Sequence, residues 1–172
     1  FFVFSHRRAF AAQMASMISW ACGGFDQFIK NANSFNCFVN DTCPHGCHCF
    51  YRPFISIMHV NCSNISAIPD KLPDLPRTYA NRRANRTSYE LDFSGNRDMS
   101  TLAIGKSLLK YSIAEVDLSN CSISEIHEKT WKKLMHIGVV NFRSNSLVSL
   151  PHFVTKYHFA NKTNKMMLDD NP

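Results

Sequence analysis

Three stretches decide the fold: SYELDFSGN at residues 88–96, IAEVDLSNCSISEI at 113–126 and IGVVNFRSNSLVSL at 137–150. They start 25 and 24 residues apart, from Ser88 to Ile113 and from Ile113 to Ile137. A fixed period of this size marks a stacked architecture, because each unit is too small to bury its apolar face alone. Ile113, Val116, Leu118, Ile123 and Ile126 fill the apolar positions of the second stretch, and Ile137, Val140, Phe142, Leu147 and Leu150 those of the third. The x-L-x-L centre of each unit alternates with period two, which is a short strand with one apolar face. Asn96, Cys121 and Asn145 share one place at the end of that strand. An inward amide there can satisfy backbone groups that a tight turn leaves unpaired. Met166, Leu168 and Asn171 trace a fainter fourth unit, and Trp131 and Leu134 anchor the returning segment of the second.

If such strands stack about 4.8 Å apart, the residues between the apolar positions form columns on the open face. One column is Glu90, Glu115, Val139 and Lys165; the next is Asp92, Asp117, Asn141 and Met167; the third is Ser94, Ser119, Arg143 and Asp169. Glu90, Asp92, Glu115 and Asp117 then gather in one acidic patch, with Asn141 and Arg143 beside it, on a chain of net charge +6. Such a patch attracts a basic protein partner. The competing readings are ordinary solvated strand polarity and a calcium site, the latter short of further oxygen ligands. No metal is expected.

The chain has 172 residues, 45% of them apolar and 19% charged, which suits an ordinary globular domain. Its longest apolar runs, FFVF at 1–4 and IGVV at 137–140, fall far short of the roughly 18–20 residues a membrane helix needs. The 19 Lys and Arg are not clustered among aromatic residues, which argues against nucleic acid as a partner. An opening Phe1 without a signal-peptide cleavage site, and a close on Asn171-Pro172, read as a piece excised from a longer protein.

Seven cysteines stand at 22, 37, 43, 47, 49, 62 and 121, and CPHGCHC at 43–49 concentrates three of them. Density of this kind means disulfides or metal. Six Asn-x-Ser/Thr sequons, at Asn40, Asn61, Asn64, Asn85, Asn120 and Asn161, point to a secreted or surface chain and so favour disulfides. Zinc would need Cys43, Cys47, Cys49 and His45 or His48, but a second ligand pair at zinc spacing is missing. Asn40, Asn85 and Asn161 are the favoured glycan carriers, being in expected loops, with Asn64 after them. Cys121 holds a strand-end position and reads as a buried structural thiol.

These residues resemble the leucine-rich repeat family over about 130 residues, from Cys43 to Pro172. The resemblance implies an α/β leucine-rich repeat solenoid, a short horseshoe arc closed by a disulfide-stapled N-terminal cap and preceded by the end of a C-terminal cap. Residues 43–73 resemble the N-terminal cap pattern CPxxCxC…C…IPxxLP, which implies the pairs Cys43–Cys49 and Cys47–Cys62. RRAFAAQMASMISW at 7–20 reads as an amphipathic helix, and Cys22 and Cys37 resemble the last two cysteines of a C-terminal cap, which implies partners outside the chain or, in the isolated piece, a bridge between the two. The organisation expected is a C-terminal cap end at 1–40, a cysteine-rich N-terminal cap at 41–76 and three to four repeats at 77–172, ending where a second C-terminal cap would start. Arg77, Arg82, Arg83 and Arg86 read as a solvated loop.

That order of caps is similar to the membrane-proximal ectodomain of Toll-type receptors. The resemblance implies an extracellular segment of a single-pass signalling receptor of innate immunity or development, with a cytoplasmic signalling domain beyond a membrane span. Its partner would be a protein ligand, such as a cystine-knot cytokine, or a second receptor copy. Secreted Slit-type proteins and generic leucine-rich adhesion proteins are the alternatives. Eight histidines, at 6, 45, 48, 59, 127, 136, 152 and 158, invite a search for catalysis. None lies in a nucleophile elbow, a zinc-protease helix or a phosphate loop. The chain reads as a non-enzyme without a cofactor.

Overall fold

A computed structural model describes residues 28–31, 34–39, 42–52, 55–65, 68–73, 88–102, 108–160 and 165–172. Alternation of apolar and polar residues yields the strands β1 (Phe28–Asn31), β2 (Ser34–Phe38), β3 (His48–Arg52), β4 (Ile57–Asn61), β5 (Ser88–Asp92), β6 (Thr101–Leu102), β7 (Ser112–Asp117), β8 (Glu125–Ile126), β9 (Val139–Asn141) and β10 (Lys165–Met167). In β4 and β5 every second residue is buried, as period-two alternation requires. Two α-helices, α1 (Glu128–Leu134) and α2 (His152–Ala160), and a 3₁₀ turn at Leu108–Lys110 complete the described elements.

Eight strands form one sheet in the order β1-β2-β3-β4-β5-β7-β9-β10, and β6 pairs with β8 in a separate parallel ribbon. The large sheet is mixed. From β1 to β4 each neighbour is antiparallel; from β4 to β10 each is parallel.

This corrects the expected α/β leucine-rich repeat solenoid with its horseshoe arc. Nearly half of the sheet is an antiparallel meander, and among the described residues the α-helices are one element of 7 residues and one of 9. Helices this short are marginal by themselves, and α1 begins at His127 without a side-chain cap. The spacing of the three decisive stretches reports how far apart parallel neighbours lie in the chain. It carries no information about the strands before them, which HCFYR and IMHVN build within the cysteine-rich segment.

One face of the sheet carries the core. Tyr51, Met58, Val60, Tyr89, Leu91, Val116 and Val140 are buried there, with Leu72, Leu102, Leu108, Trp131 and Leu134 among the residues that complete the cluster. Trp131 from α1 packs on Phe142 with ring centroids 5.5 Å apart. Tyr89 joins the core through an edge contact with Tyr111 at 4.9 Å, and its hydroxyl donates to the Pro73 carbonyl at 3.0 Å.

Where each parallel strand ends, the chain turns inward through a ladder of side chains. Asn96 Nδ2 donates to the carbonyls of Phe93 and Cys62, at 2.7 and 3.0 Å. Cys121 Sγ donates to the Phe93 carbonyl. Asn145 Nδ2 donates to Leu118 and Phe142 carbonyls, while its Oδ1 accepts from the amides of Cys121 and Ile123. Asn171 Nδ2 donates to Phe142 and Leu168 carbonyls, and its Oδ1 accepts from the Leu147 amide. The residue before each rung, Gly95, Asn120, Ser144 or Asp170, has a left-handed backbone, with φ from 55° to 74°. At the first of these a Cβ in place of a Gly95 hydrogen would stand 2.5 Å from Asn64 Oδ1, so another residue there would add backbone strain and push the exposed Asn64 side chain aside.

Cys43 is bridged to Cys49 and Cys47 to Cys62, and Cys37 is also disulfide-bonded. Structural disulfides of this density belong to an oxidising, extracellular environment. Among the described residues no helix is long and apolar enough to cross a membrane. Cys22, the 7–20 stretch, the four arginines at 77, 82, 83 and 86, and Asn40, Asn85 and Asn161 lie outside the described residues.

Candidate functional site

The face opposite the core is polar, and strand pairing sets its columns. Glu90 stands opposite Glu115, Glu115 opposite Val139, and Val139 opposite Lys165. Asp92, Asp117, Asn141 and Met167 form the next row in the same way. The four carboxylates are therefore adjacent, on two neighbouring strands.

Their side chains are not equally available. Asp92 Oδ1 accepts from the amide and hydroxyl of Ser94, and Asp117 Oδ1 from those of Ser119, so each closes the turn after its own strand. Asn141 repeats the device by accepting from the Arg143 amide, and its Nδ2 donates to Asp117 Oδ2 at 3.0 Å. Arg143 turns away to Asp169, donating from Nε at 2.6 Å. That bond, and then the guanidinium charge, hold the Asp169 carboxyl below the usual carboxylate range. Glu115 is exposed at the centre of the patch.

The antiparallel side adds residues that sequence reasoning missed. Phe38 pairs with Phe50, Phe50 with His59, and His59 with Glu90, which extends the Glu90 row across β2, β3 and β4. Arg52 donates from Nη1 to Glu90 Oε2 at 3.4 Å and lies 5.2 Å from the centre of the Phe50 ring. The signal was present in HCFYR and IMHVN, where His48, Phe50 and Arg52, and then His59 and Asn61, alternate with buried residues. The face thus grades from an aromatic, cationic end to an acidic centre. Among the described residues no group of three or more His, Cys, Asp and Glu is placed to hold a metal ion.

Of the described sequons, Asn64 and Asn120 are exposed in left-handed turns. Asn61 instead spends its Oδ1 on the amide and hydroxyl of Ser63.

Cys121 is free and fully buried. Burial pushes its thiol above the ordinary value of 9.0, helped by the charges of Asp117 and Asp92 and opposed by the Asn96 and Gly95 backbone. The folded thiol therefore ionises at higher pH than the unfolded one. Its contribution to stability is whole below the unfolded value and is lost as pH rises through the folded value. Iodoacetamide is expected to leave Cys121 unmodified until the protein is denatured. Melting curves at rising alkaline pH should fall more steeply for the native chain than for Cys121→Ala; parallel curves would contradict this account.

No family model matches the chain, and no curated protein matches it.

Proposed function

We propose that the chain is an extracellular segment of a Toll-type single-pass signalling receptor, and that it meets a protein across the open face of its sheet. The partner is a protein ligand, such as a cystine-knot cytokine, or a second copy of the receptor. The observation that carries this reading is the alignment of Glu90 with Glu115 and of Asp92 with Asp117 on one face of the sheet. Four carboxylates grouped on a chain of net charge +6 form a local field of opposite sign to the whole. A field of that kind steers and orients a basic partner. Disulfides and exposed sequons support the extracellular side of a membrane as the location.

Two measurements test it. The transcript encoding this chain is expected to continue into about 20 apolar residues with basic residues on the inner flank, and then into a cytoplasmic α/β signalling domain. A further CPxxCxC cap with no membrane span would overturn the receptor assignment in favour of a secreted protein. In the full-length receptor, Glu115→Lys with Asp117→Lys is expected to abolish signalling while surface display is retained. Unchanged signalling at equal display would remove the face from the function.

A further inference from the structure

The antiparallel strands set His59 against the acidic patch in an arrangement that partner binding does not itself require. Its ring stacks on Phe50 with centroids 4.5 Å apart. Its Nδ1 lies 3.6 Å from Glu90 Oε2, too far for a hydrogen bond. That nitrogen is buried and has no hydrogen-bond partner, while the same carboxylate oxygen accepts from Arg52. A buried imidazole nitrogen facing a carboxylate oxygen across this gap is one proton short of an ion pair. Once charged, it can close to the 2.7–2.9 Å or so of a charge-assisted bond.

We propose that His59 is a pH-sensitive latch on this face. When protonated, it closes on Glu90, ties β4 to β5, and takes one negative charge out of the patch that attracts a basic partner. The consequence for binding rests on the protein-binding reading above; the latch itself does not. The charges facing His59 come from three strands. β3 brings Arg52 and His48, β5 brings Glu90 and Asp92, and β7 brings Glu115 beyond Glu90. β4 carries no other charged residue. Arg52 and a protonated His48 oppose the charge on His59. Three carboxylates favour it, with Glu90 directly opposite.

The test compares the full chain with His59→Gln, which keeps a polar group but cannot ionise, and with Glu90→Gln. Thermal midpoints are measured at about pH 7.5 and about pH 5.5, together with binding of a poly-lysine peptide at both. The native chain is expected to gain stability over His59→Gln on the acid side only, and Glu90→Gln to erase that gain. Poly-lysine binding should weaken about fivefold at the lower pH in the native chain and stay level in His59→Gln. Equal pH dependence of the native chain and His59→Gln in melting would overturn the latch, and measurable poly-lysine binding that is no weaker at the lower pH would overturn its effect on the patch. An acid-side gain in melting with no poly-lysine binding at either pH would keep the latch and remove the basic partner.

Discussion

Replacing Asn145 with alanine is expected to lower the thermal midpoint by about 10 °C, the largest loss from any single rung of the ladder. The side chain is buried and uses both ends of its amide. Its Nδ2 serves the Leu118 and Phe142 carbonyls, and its Oδ1 serves the Cys121 and Ile123 amides. Alanine strands Leu118 O and the two amides in the buried interior; the Phe142 carbonyl keeps the bond from Asn171. An unsatisfied buried backbone group costs about 1–3 kcal/mol, so the sum approaches about 4 kcal/mol once non-additivity is allowed for. Asn96 provides the internal control. Its Nδ2 makes the equivalent donations, but its Oδ1 has no partner, so Asn96→Ala should cost distinctly less. Chemical denaturation of both variants reads the order directly. Equal losses would mean that the amide-accepting end of Asn145 contributes nothing.

Removing the Cys47–Cys62 bridge is the second large effect. The bridge spans 15 residues, for which chain entropy gives about 3 kcal/mol, against about 2 kcal/mol for the six-residue Cys43–Cys49 span. Cys62 is also fully buried at the start of the parallel half. Its amide donates to the Asp92 carbonyl and its own carbonyl accepts from Asn96. The double variant Cys47→Ala, Cys62→Ala should therefore lose more than the loop term alone, and should lose more than Cys43→Ala, Cys49→Ala. Non-reducing melts of the two double variants check this, and a reversed order would show that the longer loop is not the restraining one.

The parallel part of the sheet was legible because two periodicities coincide there. Alternation by two names the buried residues of each strand, and the step of 24 or 25 residues sets which residues face each other, as in Glu90, Glu115 and Val139. The architecture around it was not. A repeat of strands implies nothing about pairing in the segment before the first repeat, and there β1 to β4 pair antiparallel. The horseshoe expectation failed for that reason. Cysteine spacing alone left several pairings open, and only resemblance singled out Cys43 with Cys49 and Cys47 with Cys62. The acidic half of the candidate face was visible from its columns. Its aromatic and basic half was hidden, because pairing of β4 with β5 joins residues 59 and 90 across a long intervening stretch that has no periodic signal of its own.

The order of strands in the large sheet is also their order along the chain, with only the short β6 and β8 set aside in their own ribbon. No strand has to enter between two that are already paired. Each finds its docking edge finished by the residues before it, so the sheet can be laid down in the direction of synthesis, one row at a time. The longest separation that must close runs from Asn61 to Ser88, and the entropy of closing a loop grows only slowly with its length. Assembly of this kind proceeds by accretion, and at every stage the newest strand is the growing edge.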